Sequence, residues 1–235
     1  FFRIDPANGG LYYHRAQVSF WMNGKTEQAR EIIKEGALLF PDYPYYGSII
    51  WEFDIFDQNY KPVLDFYLEQ GEWMNYSQRY ILTNYHPLSI VYWLMGNKTK
   101  QIEVAEKGLK KMFENKLEGE ARYHNSLAYL YAFLGEKEKS ISQSKMAMSL
   151  CPPSKDIMLA DLYKADLATI YAIIGDHEKS LNLIEELLSG PSNYSWMDIK
   201  YDKILFHIFK NNPRLNNIIA NDEKRFRKEV KYNQF

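Results

Sequence analysis

LYAFLGEKEKS, residues 130–140, and IYAIIGDHEKS, residues 170–180, are two copies of one pattern. In each copy, apolar residues recur at intervals of three and four, and a glycine, polar residues and a second amphipathic run follow. This spacing predicts a helix with one buried face, since residues three and four apart lie on the same side of a helix. Glycine ends such a helix because it adopts the left-handed conformation without steric cost. Each copy therefore predicts a helix, a tight turn and a second helix.

Two further copies of the pattern are SFWMNGKTEQA, residues 19–29, and VYWLMGNKTKQ, residues 91–101. The intervals between successive turn glycines are 72, 39 and 40 residues. The first interval is two periods of 36, which predicts a degenerate copy in between, with Gln58 at the glycine position. The turn glycines are Gly24, Gly96, Gly135 and Gly175.

Residue types also recur at fixed distances from each turn. Four residues before it stands an aromatic residue: Phe20, Tyr92, Tyr131 and Tyr171. Five residues after it stands a small residue in three copies: Ala29, Ser140 and Ser180. A proline closes three copies: Pro41, Pro152 and Pro191. The small residue lets two helices approach closely and the aromatic ring fills the space beyond it. One helix pair cannot bury its apolar face alone, so neighbouring pairs are expected to stack.

This combination of residues resembles the tetratricopeptide repeat. The resemblance implies an all-α fold, a right-handed α-α superhelix (solenoid) of about five helical hairpins with a C-terminal capping segment. Gln17 and Trp51 depart from the small residue that the family carries seven positions before the turn. The five repeats are assigned to residues 10–42, 45–75, 83–116, 121–153 and 161–192.

The stretch WMDIKYDKILFHIFKNNPRLNNIIAN, residues 196–221, is similar to the segment that closes repeat arrays in multidomain bacterial signalling and transcription-regulating proteins. The acidic residues that the family carries before the proline are absent. The resemblance implies a cap over residues 193–221, followed by a charged tail over 222–235. Residues 1–9 have neither an initiator Met nor a signal-peptide layout and are predicted to be a linker at a truncated start. The residues that carry the resemblance are Ile204, Leu205, Ile208, Phe209, Asn211, Asn212, Pro213, Arg214 and Leu215.

Composition excludes several classes of function. Lys and Arg number 29 and Asp and Glu 30, so no net basic charge is present to hold nucleic acid or an anionic membrane. No apolar run approaches the roughly 20 residues of a membrane span. The single Cys151 suits a reducing compartment, and we expect a cytoplasmic protein. The 37 aromatic residues are compatible with a self-association surface, and hence a homo-oligomer, as well as with core packing.

No motif for catalysis or cofactor binding is present in the sequence. The five histidines lack zinc-ligand spacing, and no phosphate loop, nucleophile elbow or dinucleotide fingerprint occurs. We therefore expect no cofactor, no metal and no enzymatic activity.

In the family that this chain resembles, the first helix of each repeat lines a concave surface. The resemblance thus implies a groove for a partner protein or an extended peptide. An alternative is a peptide sensor that controls an attached DNA-binding or cyclase module, and an enzyme in its own right is a third hypothesis. The groove residues are expected to be His14, Val18, Trp21, Glu52, His86, Ile90, Trp93, Asn125 and Tyr129.

Overall fold

The computed structural model describes residues 9–43, 45–69, 71–72, 74–76, 79–114, 117–190, 192 and 194–232. The chain divides into two compact units, Phe1–Asp65 (unit 1) and Phe66–Phe235 (unit 2). Some predicted features lie outside the described residues: positions 1–8 of the linker, the closing Pro191, the end of the third repeat at 115–116 and the end of the tail at 233–235.

The described residues are helical apart from loops and one short strand pair. Strands β1 (Met74–Tyr76) and β2 (Ile81–Thr83) are antiparallel, with Asn75 opposite Leu82. This strand pair is an addition to the expected all-α fold, and β1 takes the last residues assigned to the second repeat. The helices are α1 Gly9–Asn23, α2 Thr26–Leu39, α3 Tyr46–Phe56, α4 Tyr60–Glu69, α5 Tyr85–Leu94, α6 Lys98–Glu114, α7 Ala121–Leu134, α8 Lys137–Leu150, α9 Ile157–Ile173, α10 His177–Ser189, α11 Trp196–Lys200, α12 Lys203–Phe209 and α13 Pro213–Tyr232.

The five predicted turns are all observed, and their central residues share one conformation. Gln58 has φ 60° and is the one non-glycine residue with positive φ in the described part of the chain. The glycines at the other turns have φ between 64° and 85°. At Gln58 the next N–H, of Asn59, donates to the Asp54 carbonyl at 2.7 Å, and Glu136 donates to Tyr131 in the same way at 3.0 Å. This pairing satisfies the last carbonyls of the first helix. The degenerate second copy therefore keeps the turn geometry without its glycine.

The position five residues after each turn is buried in all five hairpins, as close approach of the two helices requires. The Ser140 hydroxyl donates to the Ala128 carbonyl of the preceding helix at 2.7 Å. Gln101, a departure from the small-residue pattern, donates its side-chain amide to the Phe133 carbonyl of α7. A hydrogen bond thus compensates for the buried polar amide at this position. Gln17 and Trp51, the departures before the first two turns, are half-buried.

Unit 2 contains three successive hairpins, α5–α6, α7–α8 and α9–α10. Helix α6 packs against α7 and α8 packs against α9, while the first helices α5 and α9 also contact α7. Helix α12 contacts α5 and α9, and α13 packs on α10 and α11. Asn212 caps α13 by accepting the Leu215 N–H at 3.0 Å, and Pro213 follows it in the first helical position, where its missing N–H costs nothing. Helix α13 continues through residue 232, so the predicted boundary between cap and tail at 221–222 falls inside one helix.

Candidate functional site

The most concentrated polar cluster in the described residues surrounds the carboxylate of Asp166 on α9, whose side chain is 1% exposed. Arg79 donates to both carboxylate oxygens, from Nε at 2.9 Å and from an Nη nitrogen at 2.6 Å. The hydroxyls of Tyr80 and Tyr129 each donate at 2.7 Å, and the Asn125 amide donates at 2.8 Å. Five hydrogen bonds therefore converge on one buried carboxylate.

Electrostatics fixes the charge state of this cluster. Burial by itself would raise the pKa of Asp166, but the Arg79 charge and the donated hydrogen bonds hold that pKa below its usual value. Burial, followed by the charge of Asp166, raises the pKa of both Tyr80 and Tyr129 well above the usual value. The cluster is thus an arginine–aspartate ion pair with two neutral phenols. A carboxylate with a lowered pKa and no unused lone pair is a poor proton acceptor, so this geometry does not suit Asp166 to general-base chemistry.

Residues 79–81 lead into strand β2 beside α7, and their backbone is bound as well as their side chains. The Asn125 amide donates to the Arg79 carbonyl at 3.4 Å, and the Ile81 N–H donates to the Ser126 hydroxyl at 3.0 Å. The Ile81 side chain is 1% exposed and belongs to the core of unit 2. Helix α7 therefore hydrogen-bonds the backbone of this segment, while Asp166 of α9 accepts from its Arg79 and Tyr80 side chains.

The structure brings three of the predicted groove residues together around Asp166. Asn125 and Tyr129 bond its carboxylate directly. The His86 ring lies 5.3 Å from the Tyr129 ring and 6.1 Å from the Tyr80 ring. Its Nδ1 atom has no hydrogen-bond partner in the described part of the structure. All three side chains are buried and engaged with other parts of unit 2.

Two further predicted residues, Ile90 and Trp93, are half-buried on α5 and pack against the core of unit 2. The Trp93 ring lies 5.2 Å from the His207 ring of α12. The cap segment thus covers part of the surface that the sequence assigned to a ligand. We call the side of α5, α7 and α9 that carries His86, Trp93, Asn125, Tyr129 and Asp166 the inner face of unit 2.

The predicted groove residues of unit 1 are more open. His14, Val18 and Glu52 are exposed and Trp21 is half-buried. Val18 is 52% exposed, and Met22, one helical turn further along α1, is 61% exposed. We call this exposed side of α1, with Glu52 on α3, the α1–α3 face.

Helices α1 and α3 lie side by side in unit 1. The Phe20 ring of α1 lies 5.4 Å from the Phe53 ring of α3. Burial, then the negative charge of Glu52, raises the pKa of Tyr13 to about 12, which places the Glu52 carboxylate near α1. The exposed groups of the α1–α3 face therefore come from two neighbouring helices.

Sequence reasoning missed Asp166 and Arg79, the two charged members of the cluster. Asp166 had a usable signal, because it stands in the apolar run LYKADLATIYAII, residues 162–174, where an unpaired carboxylate would be costly to bury. Arg79 had none, since it lies between two repeats and outside every periodic segment.

The described residues contain no group of three or more His, Cys, Asp or Glu side chains placed to hold a metal ion. Among the helices of the described ranges, none is both long and apolar enough to cross a bilayer. Comparison with protein-family models, curated proteins and solved structures finds no significant match to this chain.

Proposed function

We propose that this chain is a non-catalytic interaction module of the tetratricopeptide-repeat type, which binds a partner protein or peptide through the first helices of its hairpins. In this proposal the hairpins of each unit stack in the manner of a right-handed solenoid. The shared geometry of the five turns and the packing of successive hairpins support it. A repeat array of this kind presents a long surface built from many small elements, which suits extended ligands.

The observation that carries the proposal is the segment 79–81, whose backbone is hydrogen-bonded by side chains of α7. Its backbone is bonded by Asn125 and Ser126, and its side chains are held by Asp166 and the core of unit 2. Asparagine and serine side chains on a helix that bond a neighbouring backbone supply the chemistry of peptide recognition. The fold therefore carries, on its first helices, groups suited to holding a peptide.

For an external partner, the α1–α3 face of unit 1 is the proposed contact surface. Val18 and Met22 expose apolar area, and the half-buried Trp21 adds an aromatic surface. His14 and Glu52 provide polar groups beside them. Aromatic and apolar contact area bordered by polar groups is typical of surfaces that bind proteins.

An array of immobilised 12-residue peptides, probed with the labelled full chain, tests this proposal. We expect a subset of peptides to bind, and Val18→Asp to weaken the strongest of them at least tenfold in fluorescence anisotropy, because the new carboxylate would be buried against an apolar ligand. Leu38→Asp is the matched control, since Leu38 is 80% exposed and lies on α2, which is not one of the two helices of the α1–α3 face. Absence of any bound peptide, or an equal effect of the two variants, would count against the proposal.

A further inference from the structure

The receptor side and the ligand side of the Asp166 cluster come from different parts of the chain. Asp166, Asn125, Ser126 and Tyr129 all lie on α7 and α9, whereas Arg79, Tyr80 and Ile81 form one short segment before α5. Without that segment, unit 2 would present a buried carboxylate with a phenol and an amide beside it. Such a site demands a cation, because an isolated carboxylate is expensive to bury.

The geometry of the ion pair selects arginine. Nε and an Nη nitrogen of Arg79 each bond one oxygen of the same carboxylate, the parallel arrangement that a guanidinium supplies and a lysine ammonium does not. The adjacent Tyr80 donates a third bond to Asp166, and its ring lies 5.0 Å from the guanidinium carbon. Ile81 then enters the apolar core. The bound sequence is therefore read as arginine, an aromatic residue with a hydroxyl, and an aliphatic residue.

The internal segment leaves hydrogen-bonding capacity unused at the same place. The Asn125 Oδ1 atom and the His86 Nδ1 atom are both buried and have no partner among the described residues. An external segment of the same class, with a hydrogen-bond donor beside its arginine, could bond these two atoms as well. Such a segment would then make more hydrogen bonds than residues 79–81 do, and bind more tightly.

We infer that the inner face of unit 2 is a receptor for an arginine–aromatic–aliphatic segment of a partner protein, and that residues 79–81 occupy it as an internal ligand until the partner displaces them. The inference rests on the proposed function and names the class of peptide recognised. The internal ligand has the advantage of its tether, whose effective concentration is in the millimolar range for a short connection. A partner overcomes that advantage by forming hydrogen bonds to Asn125 Oδ1 and His86 Nδ1 and by making further contacts along the first helices of the hairpins.

The experiment removes the internal ligand and supplies it from outside. A fluorescein-labelled peptide with the sequence of residues 74–84, MNYSQRYILTN, is titrated into the full chain carrying Arg79→Ala and Tyr80→Ala, and binding is followed by anisotropy. We expect saturable binding, at least tenfold weaker for the unsubstituted chain, whose own segment competes. A peptide with Ala or Lys in place of the arginine should bind about 30-fold more weakly, because it leaves the buried carboxylate without its bidentate partner.

A far-ultraviolet circular dichroism spectrum checks that the double variant retains its helices. If it does not, Tyr80→Ala alone replaces it. This variant keeps the Arg79 ion pair and loses only the Tyr80 bond to Asp166, so we expect arginine-dependent binding that is tighter than for the unsubstituted chain but still subject to competition from Arg79. Equal binding of the arginine and alanine peptides by a folded variant, or no binding by either, would overturn the inference. A dimer of the unsubstituted chain that the peptide dissociates would also overturn it, because a second copy would then be the occupant.

This outcome is separable from that of the proposed function. If no peptide of the array binds in a way that depends on Val18, the proposed function itself fails. If the double variant shows no arginine-dependent binding, the inner face of unit 2 is not the receptor, and the proposal for the α1–α3 face is unaffected.

Discussion

We expect His86 to make the stability of this protein depend on pH, because burial of its ring disfavours the charged form. Burial, followed by the positive charge of Lys203, lowers its pKa to about 4, while the negative charge of Asp166 acts in the opposite direction. The rings of Tyr80 and Tyr129 face it, and both phenols stay neutral in this range. In the folded chain the imidazole is therefore neutral at physiological pH.

The magnitude follows from the difference between the two states. The ordinary histidine pKa is 6.5 and the folded value is about 4, and each unit of difference corresponds to about 1.4 kcal/mol. Between these two values the unfolded chain binds more protons than the folded chain, so the free energy of unfolding falls as the pH falls. The contribution of His86 is fully present above pH 6.5, and about 2 kcal/mol of it is lost between pH 7 and pH 5.

Urea unfolding followed by tryptophan fluorescence at pH 7, 6 and 5 measures this loss. His86→Leu removes the titrating group, so we expect its unfolding free energy to change by about 2 kcal/mol less than that of the unsubstituted chain over the same range. His177→Leu is the matched control, because His177 is an exposed histidine of the same unit. Equal pH dependence in His86→Leu and the unsubstituted chain would refute the reasoning.

Four further substitutions test the ion pair, the backbone conformation of the turns and the helix packing. Asp166→Asn leaves Arg79 without its counter-charge and should lower the unfolding free energy by about 3 kcal/mol; a loss under about 1 kcal/mol in urea unfolding would contradict the role of the ion pair. Gln58→Gly should raise the unfolding free energy by about 1 kcal/mol, because φ 60° is strained for glutamine. Gly135→Ala should lower the unfolding free energy by a similar amount, because φ is 80° there. No atom lies within 4 Å of the added Cβ, so this change tests backbone strain without a steric clash. Both changes are read from thermal melting. A lower melting temperature for Gln58→Gly, or a higher one for Gly135→Ala, would argue against conformational strain. Gly36→Ala should lower the unfolding free energy by about 1–3 kcal/mol, because the added Cβ would stand 2.6 Å from atoms of two neighbouring tyrosines. A melting temperature equal to that of the unsubstituted chain would contradict this, since it would show that the contact relaxes.

The helices and turns were largely predictable because their causes are local. The periodic apolar residues around Gly135 and Gly175 define buried helical faces, and the turn residue needs only a left-handed conformation at one position. Gln58 shows how far the repeat spacing alone can predict a turn. The spacing of the copies predicted a turn at this position, although glutamine is not a residue type that favours a left-handed conformation. The strands near Asn75 and Leu82 escaped prediction because they lie where the second assigned repeat ends and the third begins, where no periodicity constrains them.

The candidate site was predictable only in part. Periodicity and the family resemblance placed His86, Asn125 and Tyr129 on one face, and the structure does bring them together. Their contacts could not be foreseen, because the groups that they face come from a segment without a pattern. For the exposed residues Val18 and Glu52, contact with a partner stays a prediction.

The amino-acid sequence by itself determined where the helices end and where the turns between them lie, since hydrogen bonds and backbone strain within a few residues set those features. The tertiary structure alone decided that Arg79 meets Asp166, 87 residues further along the chain. No local rule connects two such residues; the stacking of α7 and α9 creates the buried space, and the cost of leaving a carboxylate unpaired there makes the arginine its partner.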